Sequence, residues 1–233
     1  MIIYGKQVCL YALTNHFNKV KTVYVANKSA NSKDVLPKDL FHKYHDKIKF
    51  LEDKWAKSMC KGGNHQGILV EIDDLTQTSF NNIKQSDFIL ILDGLTDVGN
   101  IGAVVRTAYA LGVDSIIMTG VNTLNLSAIT RTSSGAMLDI DFMLKSNVLD
   151  NINELSQLGF IFYGAMMDGE DINKLEFNKK RVLVLGNEGE GISKKIIKKL
   201  NHKVSIEMKH NFNSLNVNSA GSILIHRMSY AVK

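Results

Sequence analysis

The feature that most constrains this chain is an alternation of apolar, strand-like runs and helix-like runs between residues 88 and 230. Strands that alternate with helices pair most readily as a parallel sheet, because each helix carries the chain back to the start of the next strand. We therefore expect an α/β domain with helices on both faces of a parallel sheet. The strand-like runs are residues 88–92, 115–118, 160–163, 182–185 and 203–206, and the helix-like runs are residues 101–111, 148–158, 194–200 and 215–230.

The first 72 residues predict a separate, small α/β unit. Residues 73–87 (DDLTQTSFNNIKQSD) are mostly polar and aperiodic, which is typical of a linker. The predicted domains are therefore residues 1–72 and 88–233, joined by a linker at 73–87. In the first domain we predict helices at residues 7–16, 40–44 and 54–59, and strands at residues 22–27, 48–51 and 67–72.

Composition restricts the class of protein without naming it. The formal net charge of +5 is compatible with a nucleic-acid partner but does not require one. Cys9 and Cys60 have no CxxC spacing, so we predict reduced cysteines and no metal site. No apolar run approaches the roughly 18 residues of a membrane helix, and the opening MIIYGKQVCLYAL is not typical of a signal peptide. We expect a cytoplasmic protein without a membrane partner.

Basic residues occur in two runs. One contains Lys179, Lys180 and Arg181 before a predicted strand, and the other contains Lys194, Lys195, Lys198 and Lys199 on a predicted helix. The default interpretation of such runs is a solvated surface. The alternative is a track for RNA phosphates, which would make binding steeply dependent on salt.

Three segments rich in glycine, asparagine and hydroxyl side chains lie where a strand-like run ends and a helix-like run begins. They are residues 97–108 (DVGNIGAVVRTA), 185–193 (LGNEGEGIS) and 204–220 (VSIEMKHNFNSLNVNSA). In parallel α/β sheets, ligands bind beyond the carboxyl ends of the strands, where backbone amides at helix starts are available. We therefore expect the three segments to form one site.

In the first segment, Asp97, Gly99 and Asn100 are suited to turn the chain and cap the next helix, on which Arg106 lies. In the second, the order G-x-x-G-x-G reverses the dinucleotide-binding G-x-G-x-x-G. Glu207 could still imitate the acidic ribose ligand of a nicotinamide enzyme, so this rival is weakened but stays open. Ser193 is predicted to cap the helix that follows the second segment.

The third segment contains the tetrapeptide SLNV, residues 214–217, at the predicted start of the last helix. Alone it indicates an ordinary helix start with Ser214 as the capping residue. Together, the three segments resemble in order and spacing motifs 1, 2 and 3 of the SpoU/TrmH family of RNA 2′-O-methyltransferases. The small-residue run TSSGA, residues 132–136, resembles the family's S-x-GA segment, and we assign it no chemistry.

The resemblance implies a catalytic set. Asn100 would orient the ribose hydroxyl to be methylated, and Arg106 would act on it. Glu188 would position the substrate or the arginine, and Ser214 and Asn216 would serve the catalytic pocket. Arginine is a poor base when free, so Arg106 would act in a strongly perturbing site or by polarising the hydroxyl.

The resemblance also implies S-adenosylmethionine as cofactor. Gly186 would back its methionine portion, and Ile206 and Leu215 would flank its adenine and offer backbone hydrogen bonds. The implied cofactor site also includes Asn187, Gly189 and Met208. The family usually has proline where this chain has Val98 and Glu207. The absence of proline at Val98 softens the first turn, and the two departures together leave room for a vestigial site.

The fold implied by the resemblance is a SPOUT-type parallel sheet whose C-terminal chain forms a trefoil knot, and the family works as a homodimer. The first domain is similar to the small RNA-binding domain of ribosomal-RNA members, through the opening YGKQVCLYAL and the turn GNHQG before GILVEI. His65 in this turn is either structural or an RNA contact. The leading hypothesis is a methyltransferase for a guanosine in 23S ribosomal RNA. The alternatives are a transfer-RNA 2′-O-methyltransferase and a non-catalytic RNA-binding or ribosome-assembly protein.

Overall fold

The structure, a computed structural model, describes residues 1–26, 35–210 and 214–232 of the chain. Two units are distinguished within it. The first contains Met1–Thr76 together with Asn125–Leu138, and the second contains Gln77–Leu124 and the chain from Asp139 onward. These bounds differ from the predicted ones, because a short segment from the middle of the chain groups with the first unit.

The first unit contains a mixed four-stranded sheet of order β1-β4-β2-β3. Strands β1 and β2 each pair antiparallel with β4, and β2 pairs parallel with β3. The predicted helices and strands of this region are present, although Asn27 of the predicted second strand lies outside the described residues. The elements are β1 (Ile2–Tyr4), α1 (Lys6–Asn15), β2 (Val20–Ala26), α2 (Lys38–Lys43), β3 (Ile48–Leu51), α3 (Asp53–Met59) and β4 (Ile68–Ile72).

The turn before β4 is held by His65, which is 7% exposed. The backbone N–H of Gly67 donates to its Nδ1 at 3.1 Å. Because Nδ1 accepts this bond, the ring proton lies on Nε2, which faces the Asp53 carboxylate at 3.4 Å. Of the two roles that the sequence left open, the structure supports the structural one.

Both cysteines are unpaired and buried in this unit. Burial raises the pKa of the Cys9 thiol well above its usual range. The Cys60 thiol donates to the Gly63 carbonyl at 2.9 Å. The two residues therefore behave as small core side chains.

The second unit contains the parallel sheet that the strand–helix alternation predicted. Its six strands have the order β10-β8-β9-β5-β6-β7, and every neighbouring pair is parallel. From residue 80 onward the elements of the chain are α4 (Phe80–Ile83), β5 (Phe88–Asp93), α5 (Val98–Ala110), β6 (Ser115–Thr119), α6 (Leu126–Thr132), β7 (Asp141–Lys145), α7 (Leu149–Gln157), β8 (Ile161–Asp171), β9 (Arg181–Gly186), α8 (Lys194–Ile197), β10 (His202–Ser205) and α9 (Val217–Tyr230).

The central strands of this sheet lie in the hydrophobic core of the second unit. All six residues of β5 and the first five of β9 are buried, which is expected for strands covered on both faces. On one face, isoleucine and valine side chains of β5, β6 and β9 pack against α7 and α8. On the other, α9 packs against α5 and approaches β9 at Gly221, where a Cβ would lie 2.8 Å from the Leu185 side chain.

Helix α6 belongs to the first unit. Its Ser127 hydroxyl donates to the Ile2 carbonyl, and the Arg131 guanidinium lies 5.1 Å from the centre of the Tyr4 ring. The run 132–136 that follows has Gly135 at a φ of +102°, and a Cβ there would lie 2.5 Å from the Tyr11 ring. The small residues of this run therefore permit a tight turn and close packing.

Several elements differ from the prediction. Strands β1 and β7 and helices α4 and α6 were not predicted, and α4 lies within the predicted linker with Ile83 buried. Strand β8 is longer than predicted because residues 165–169 form a bulge between two stretches paired with β10. Within the described residues, no helix combines the length and the apolar composition needed to cross a membrane.

Candidate active site at the carboxyl edge of the sheet

The three predicted segments begin at the carboxyl ends of three parallel strands. Strand β5 ends at Asp93, β9 ends at Gly186 and β10 ends at Ser205. Because the strands are parallel, these ends lie at the same edge of the sheet. Residues 211–213 of the third segment lie outside the described residues.

One residue from each segment meets in a hydrogen-bonded cluster of Asn100, Glu188 and Asn216. The Nδ2 of Asn100 donates to the Oε1 of Glu188 at 2.9 Å, and the Nδ2 of Asn216 donates to the same oxygen at 2.7 Å. The Asn216 Nδ2 also lies 3.2 Å from the Asn100 Oδ1. Since a carboxylate only accepts hydrogen bonds, both side-chain amides must turn their Nδ2 toward Glu188. The structure thus joins three of the five predicted catalytic residues.

Helix caps hold the two asparagines of this cluster in place. The Asp97 Oδ1 accepts from the backbone N–H of Asn100 at 2.7 Å at the start of α5, as predicted. At the start of α9 the cap is Asn216, whose Oδ1 accepts from the N–H of Asn218 at 2.9 Å. The prediction that Ser214 caps this helix is therefore wrong. Ser214 is exposed two residues before the cap.

The glycine-rich loop between β9 and α8 is organised by Asn187. Its Nδ2 donates to the Gly94 carbonyl at 2.9 Å, and its Oδ1 accepts from the N–H of Gly189 at 2.8 Å. Its backbone forms two hydrogen bonds with Gly191, which folds the loop back on itself. Both the side chain and the backbone of Asn187 thus form hydrogen bonds within the protein, so that this residue fixes the shape of the loop.

The second half of this loop, at Gly191 and Ile192, passes directly over Gly186. A Cβ at Gly186 would lie 2.2 Å from both the Gly191 carbonyl carbon and the Ile192 nitrogen. No real Cβ contact is that short, and both neighbours are backbone atoms that cannot rotate away. Glycine is therefore required here for close passage of the chain.

Asp93, the last residue of β5, was not predicted as a site residue. It is 3% exposed, and its Oδ2 accepts from the backbone N–H of Ser193 at 2.7 Å. This bond fixes the end of the glycine-rich loop to the central strand. Ser193 lies at the predicted N-cap position of α8, but its side chain makes no capping bond, and its buried Oγ has no partner among the described residues.

We expect Asp93→Ala to destabilise the second unit by about 1–3 kcal/mol, because it leaves the partly buried Ser193 N–H without an acceptor. Asp93→Asn keeps an oxygen acceptor of the same size and is expected to retain most of the stability. Urea denaturation of the two variants measures the difference. Equal losses in both variants would show that the hydrogen bond to Ser193 is not what Asp93 contributes.

Arg106 lies on α5, the same helix as Asn100. It is exposed and six residues beyond Asn100, which places it about 9 Å further along the helix and about 120° around it. It does not line the cavity of about 50 Å³ that lies beside the cluster and is bounded by Thr96, Glu188 and Val217, among others. The structure therefore places Arg106 on the same helix as Asn100 and outside the lining of this cavity.

The predicted cofactor residues at the end of β10 and the start of α9 leave groups available to a ligand. Ile206, Met208 and Leu215 are each partly exposed at this edge. Among the described residues, no hydrogen bond engages the backbone amide or carbonyl of Ile206 or Leu215. Partly exposed apolar side chains beside unused backbone groups suit a flat heterocycle with polar edges. In the described part of the chain, no cluster of three or more His, Cys, Asp or Glu residues is placed to hold a metal ion.

Sequence comparison places this fold and site in a class of RNA-modifying enzymes. Residues 87–226 match the profile of the SpoU rRNA Methylase family, and residues 2–78 match that of the RNA 2′-O ribose methyltransferase substrate-binding domain. The first match covers more than half of the chain. The chain therefore belongs to the SpoU family of RNA methyltransferases.

Individual relatives agree with this assignment. An uncharacterized tRNA/rRNA methyltransferase of Borreliella burgdorferi is 32% identical over 210 residues, which are 89% of this chain and 87% of the relative. The 23S rRNA (guanosine-2′-O-)-methyltransferase RlmB of Neisseria meningitidis is 28% identical over 95% of this chain and 92% of its own. The AdoMet-bound rRNA methyltransferase of Sinorhizobium meliloti has the same fold, with a TM-score of 0.77 and 20% identity over 97% of this chain and 85% of that chain.

Proposed function

We propose that the protein transfers a methyl group from S-adenosylmethionine to the ribose 2′-oxygen of a guanosine in 23S ribosomal RNA. The observation that carries this proposal is the cluster of Asn100, Glu188 and Asn216, which unites the three family segments at the carboxyl edge of the sheet. Membership of the SpoU family gives the reaction class. The relative RlmB supports the choice of a guanosine in 23S ribosomal RNA.

The catalytic cluster would orient the ribose. Glu188 uses its Oε1 for the two asparagines, and its second oxygen is available to accept from a hydroxyl. Two amide donors hold the carboxylate in one orientation, so that a ribose hydroxyl bound there has a fixed direction. Arg106 supplies a cation that stabilises the negative charge developing on the 2′-oxygen. In this proposal, bound RNA brings the ribose to Arg106, and exposed Ser214 contacts the substrate.

Cofactor binding would use the glycine-rich loop and the two apolar segments. S-adenosylmethionine supplies the reactive methyl group when bound. Gly186 and Gly189 lie in the loop whose shape Asn187 fixes, and this loop would contact the methionine portion of the cofactor. Ile206, Met208 and Leu215 offer apolar side chains and backbone groups for the adenine. The rRNA methyltransferase of Sinorhizobium meliloti has the same fold and a crystal structure with AdoMet bound, which supports this choice of cofactor.

The domain and subunit organisation belongs to the same proposal. We propose an RNA-binding domain at residues 1–72, a linker at 73–87 and a catalytic domain at 88–233 that contains the family knot, in a cytoplasmic homodimer. Large apolar side chains on α5 and α9 support the dimer: Tyr109 is 43% exposed, Ile223 43% and Tyr230 72%. A dimer interface would remove them from water. Sedimentation equilibrium tests this organisation, and a monomer at micromolar concentration would contradict it.

The substrate is tested by incubating the protein with tritiated S-adenosylmethionine and unmodified RNA. We expect label on 23S ribosomal RNA and none on transfer RNA. Label on transfer RNA alone would support the second candidate, for which the tRNA/rRNA methyltransferase of Borreliella gives the reason. No label on either RNA, from folded protein that also fails to bind the cofactor, would support a non-catalytic RNA-binding protein.

A further inference from the structure

A short basic surface follows the glycine-rich loop of the candidate active site along the chain. It consists of Lys194, Lys195, Lys198 and Lys199, which we call the α8 lysine patch. All four side chains are exposed, whereas Ile196 on the inner side of the same helix is completely buried. Beyond the end of α8 the turn continues, because the N–H of Lys199 donates to the Ile196 carbonyl at 2.8 Å. The buried isoleucine therefore fixes four ammonium groups on one outward face.

The α8 lysine patch differs from several other lysines of the second unit in its ion pairing. Within the described residues, none of its four lysines forms an ion pair, although Lys84, Lys179 and Lys203 pair with carboxylates at 2.7–3.2 Å. No acidic residue occurs between Gly191 and Ile206 in the sequence. Among the described residues, the four positive charges of the patch are therefore not offset by ion pairs.

The other basic run, which the sequence offered as a second phosphate track, is used within the protein. Lys179 pairs with Asp87, and the Lys180 ammonium donates to the Leu158 carbonyl at 3.1 Å. Arg181 is 7% exposed with its guanidinium 4.3 Å from the centre of the Phe88 ring, and burial lowers its pKa. The structure therefore separates the two runs and leaves only the α8 lysine patch for a ligand.

The spacing within the patch is unfavourable for the protein alone. Lys194 and Lys198, and likewise Lys195 and Lys199, are four residues apart, so that like charges face each other across one helical turn. Such pairs weakly destabilise a helix, and salt or a bound anion reduces the repulsion. A solvated surface would not require this arrangement, whereas a polyanionic partner relieves its repulsion.

The position of the patch in the chain favours RNA as its partner. Its first residue follows Ser193, whose N–H is bound to Asp93 at the carboxyl end of β5. The loop that leads into α8 also carries Glu188 of the catalytic cluster. A strand of RNA whose ribose reaches Glu188 would therefore run close to the patch on one side. Lysine binds phosphate as a point charge and tolerates any base sequence.

We propose that the α8 lysine patch binds backbone phosphates of the RNA that enters the active site, next to the ribose to be methylated. This inference rests on the proposed function, because it requires an RNA substrate. Each phosphate neutralised releases counterions, so that the patch contributes to the salt dependence of RNA binding. It holds the RNA without reading its sequence.

The test compares two variants that remove the same charge. In the first, all four patch lysines are changed to glutamine. In the control, Lys84, Lys179, Lys180 and Lys203 of the same unit are changed to glutamine; each of these already has a partner within the protein. The affinity for an unmethylated 23S ribosomal RNA transcript is measured between 0.05 and 0.5 M KCl, values chosen to span about one decade of salt.

Affinity for RNA falls as salt rises, and we expect the plot of log affinity against log salt concentration to be less steep by about 3 in the patch variant. We expect its affinity at 0.1 M KCl to be about 100- to 1,000-fold lower than that of the wild type. The control is expected to change the slope by less than about 1. A third variant with four lysine-to-arginine changes keeps the charge and is expected to retain the wild-type slope. Thermal unfolding establishes that all three variants are folded.

Equal slopes in the patch and control variants would overturn the proposal. Affinity for S-adenosylmethionine, measured without RNA, is expected to be the same in all variants, because the patch lysines are not among the predicted cofactor residues. If the wild type and the control transfer the methyl group and the patch variant keeps the wild-type salt slope, the proposed role of the patch is refuted. The proposed function would then still stand. Failure of the wild type to bind RNA would refute both, and preferential binding of an acidic protein would assign the patch to that partner.

Discussion

Arg106→Ala is expected to abolish methyl transfer while leaving the affinity for S-adenosylmethionine near that of the wild type. Arg106 is exposed on α5 and absent from the buried core, so its removal should not unfold the protein. Loss of a cation that stabilises charge in the transition state costs roughly 100- to 1,000-fold in rate or more. Single-turnover methylation of ribosomal RNA measures the rate, and calorimetric titration measures cofactor binding.

Arg106→Lys is the matched variant for this experiment. It keeps one positive charge but loses the planar fork of five donors that arginine offers to an oxyanion or phosphate. We expect partial activity between that of the wild type and that of Arg106→Ala. Full activity of Arg106→Ala would contradict the assigned role, and a parallel loss of cofactor affinity would indicate a structural one.

Gly186→Ala is expected to destabilise the second unit by about 2–3 kcal/mol. Its Cβ would occupy a position 2.2 Å from the backbone of Gly191 and Ile192, so the glycine-rich loop would have to move away from β9. Cofactor binding should be lost together with stability, because the same loop carries the predicted cofactor residues. Urea denaturation and cofactor titration of the variant measure the two effects.

Gly189→Ala is the control in the same loop. The nearest atom to its Cβ would be the Asn187 Oδ1 at 3.4 Å, an ordinary contact. Its stability should lie within about 0.5 kcal/mol of the wild type. If the two alanine variants unfold at the same urea concentration, the close passage of the chain over Gly186 is not a constraint on the fold.

The parallel sheet could be predicted because its central strands are continuous apolar runs and its helices follow at regular intervals. The convergence of Asn100, Glu188 and Asn216 followed from the same logic, since parallel strands bring their carboxyl ends to one edge. The trefoil knot was implied by family resemblance alone and stays a prediction. The roles assigned to the individual catalytic and cofactor residues also stay predictions.

Other features could not be predicted, for physical reasons. Asp93 is the last residue of an apolar run, and nothing in its neighbours shows that its carboxylate would bind the N–H of Ser193, one hundred residues away. The sequence favours Ser214 and Asn216 almost equally as helix caps, and the choice depends on where α9 meets β9. The grouping of α6 with the first unit depends on contacts such as that between Arg131 and Tyr4, which are distant in sequence.

The most direct test of the central claim is the chemical position of the transferred methyl group. Ribosomal RNA labelled by the wild-type protein would be hydrolysed with alkali, which cannot cleave after a 2′-O-methylated ribose. We predict that the label appears in one alkali-resistant dinucleotide that begins with guanosine, and that Arg106→Ala produces none. Label in ordinary mononucleotides would place the methyl group on a base and contradict the account of the site.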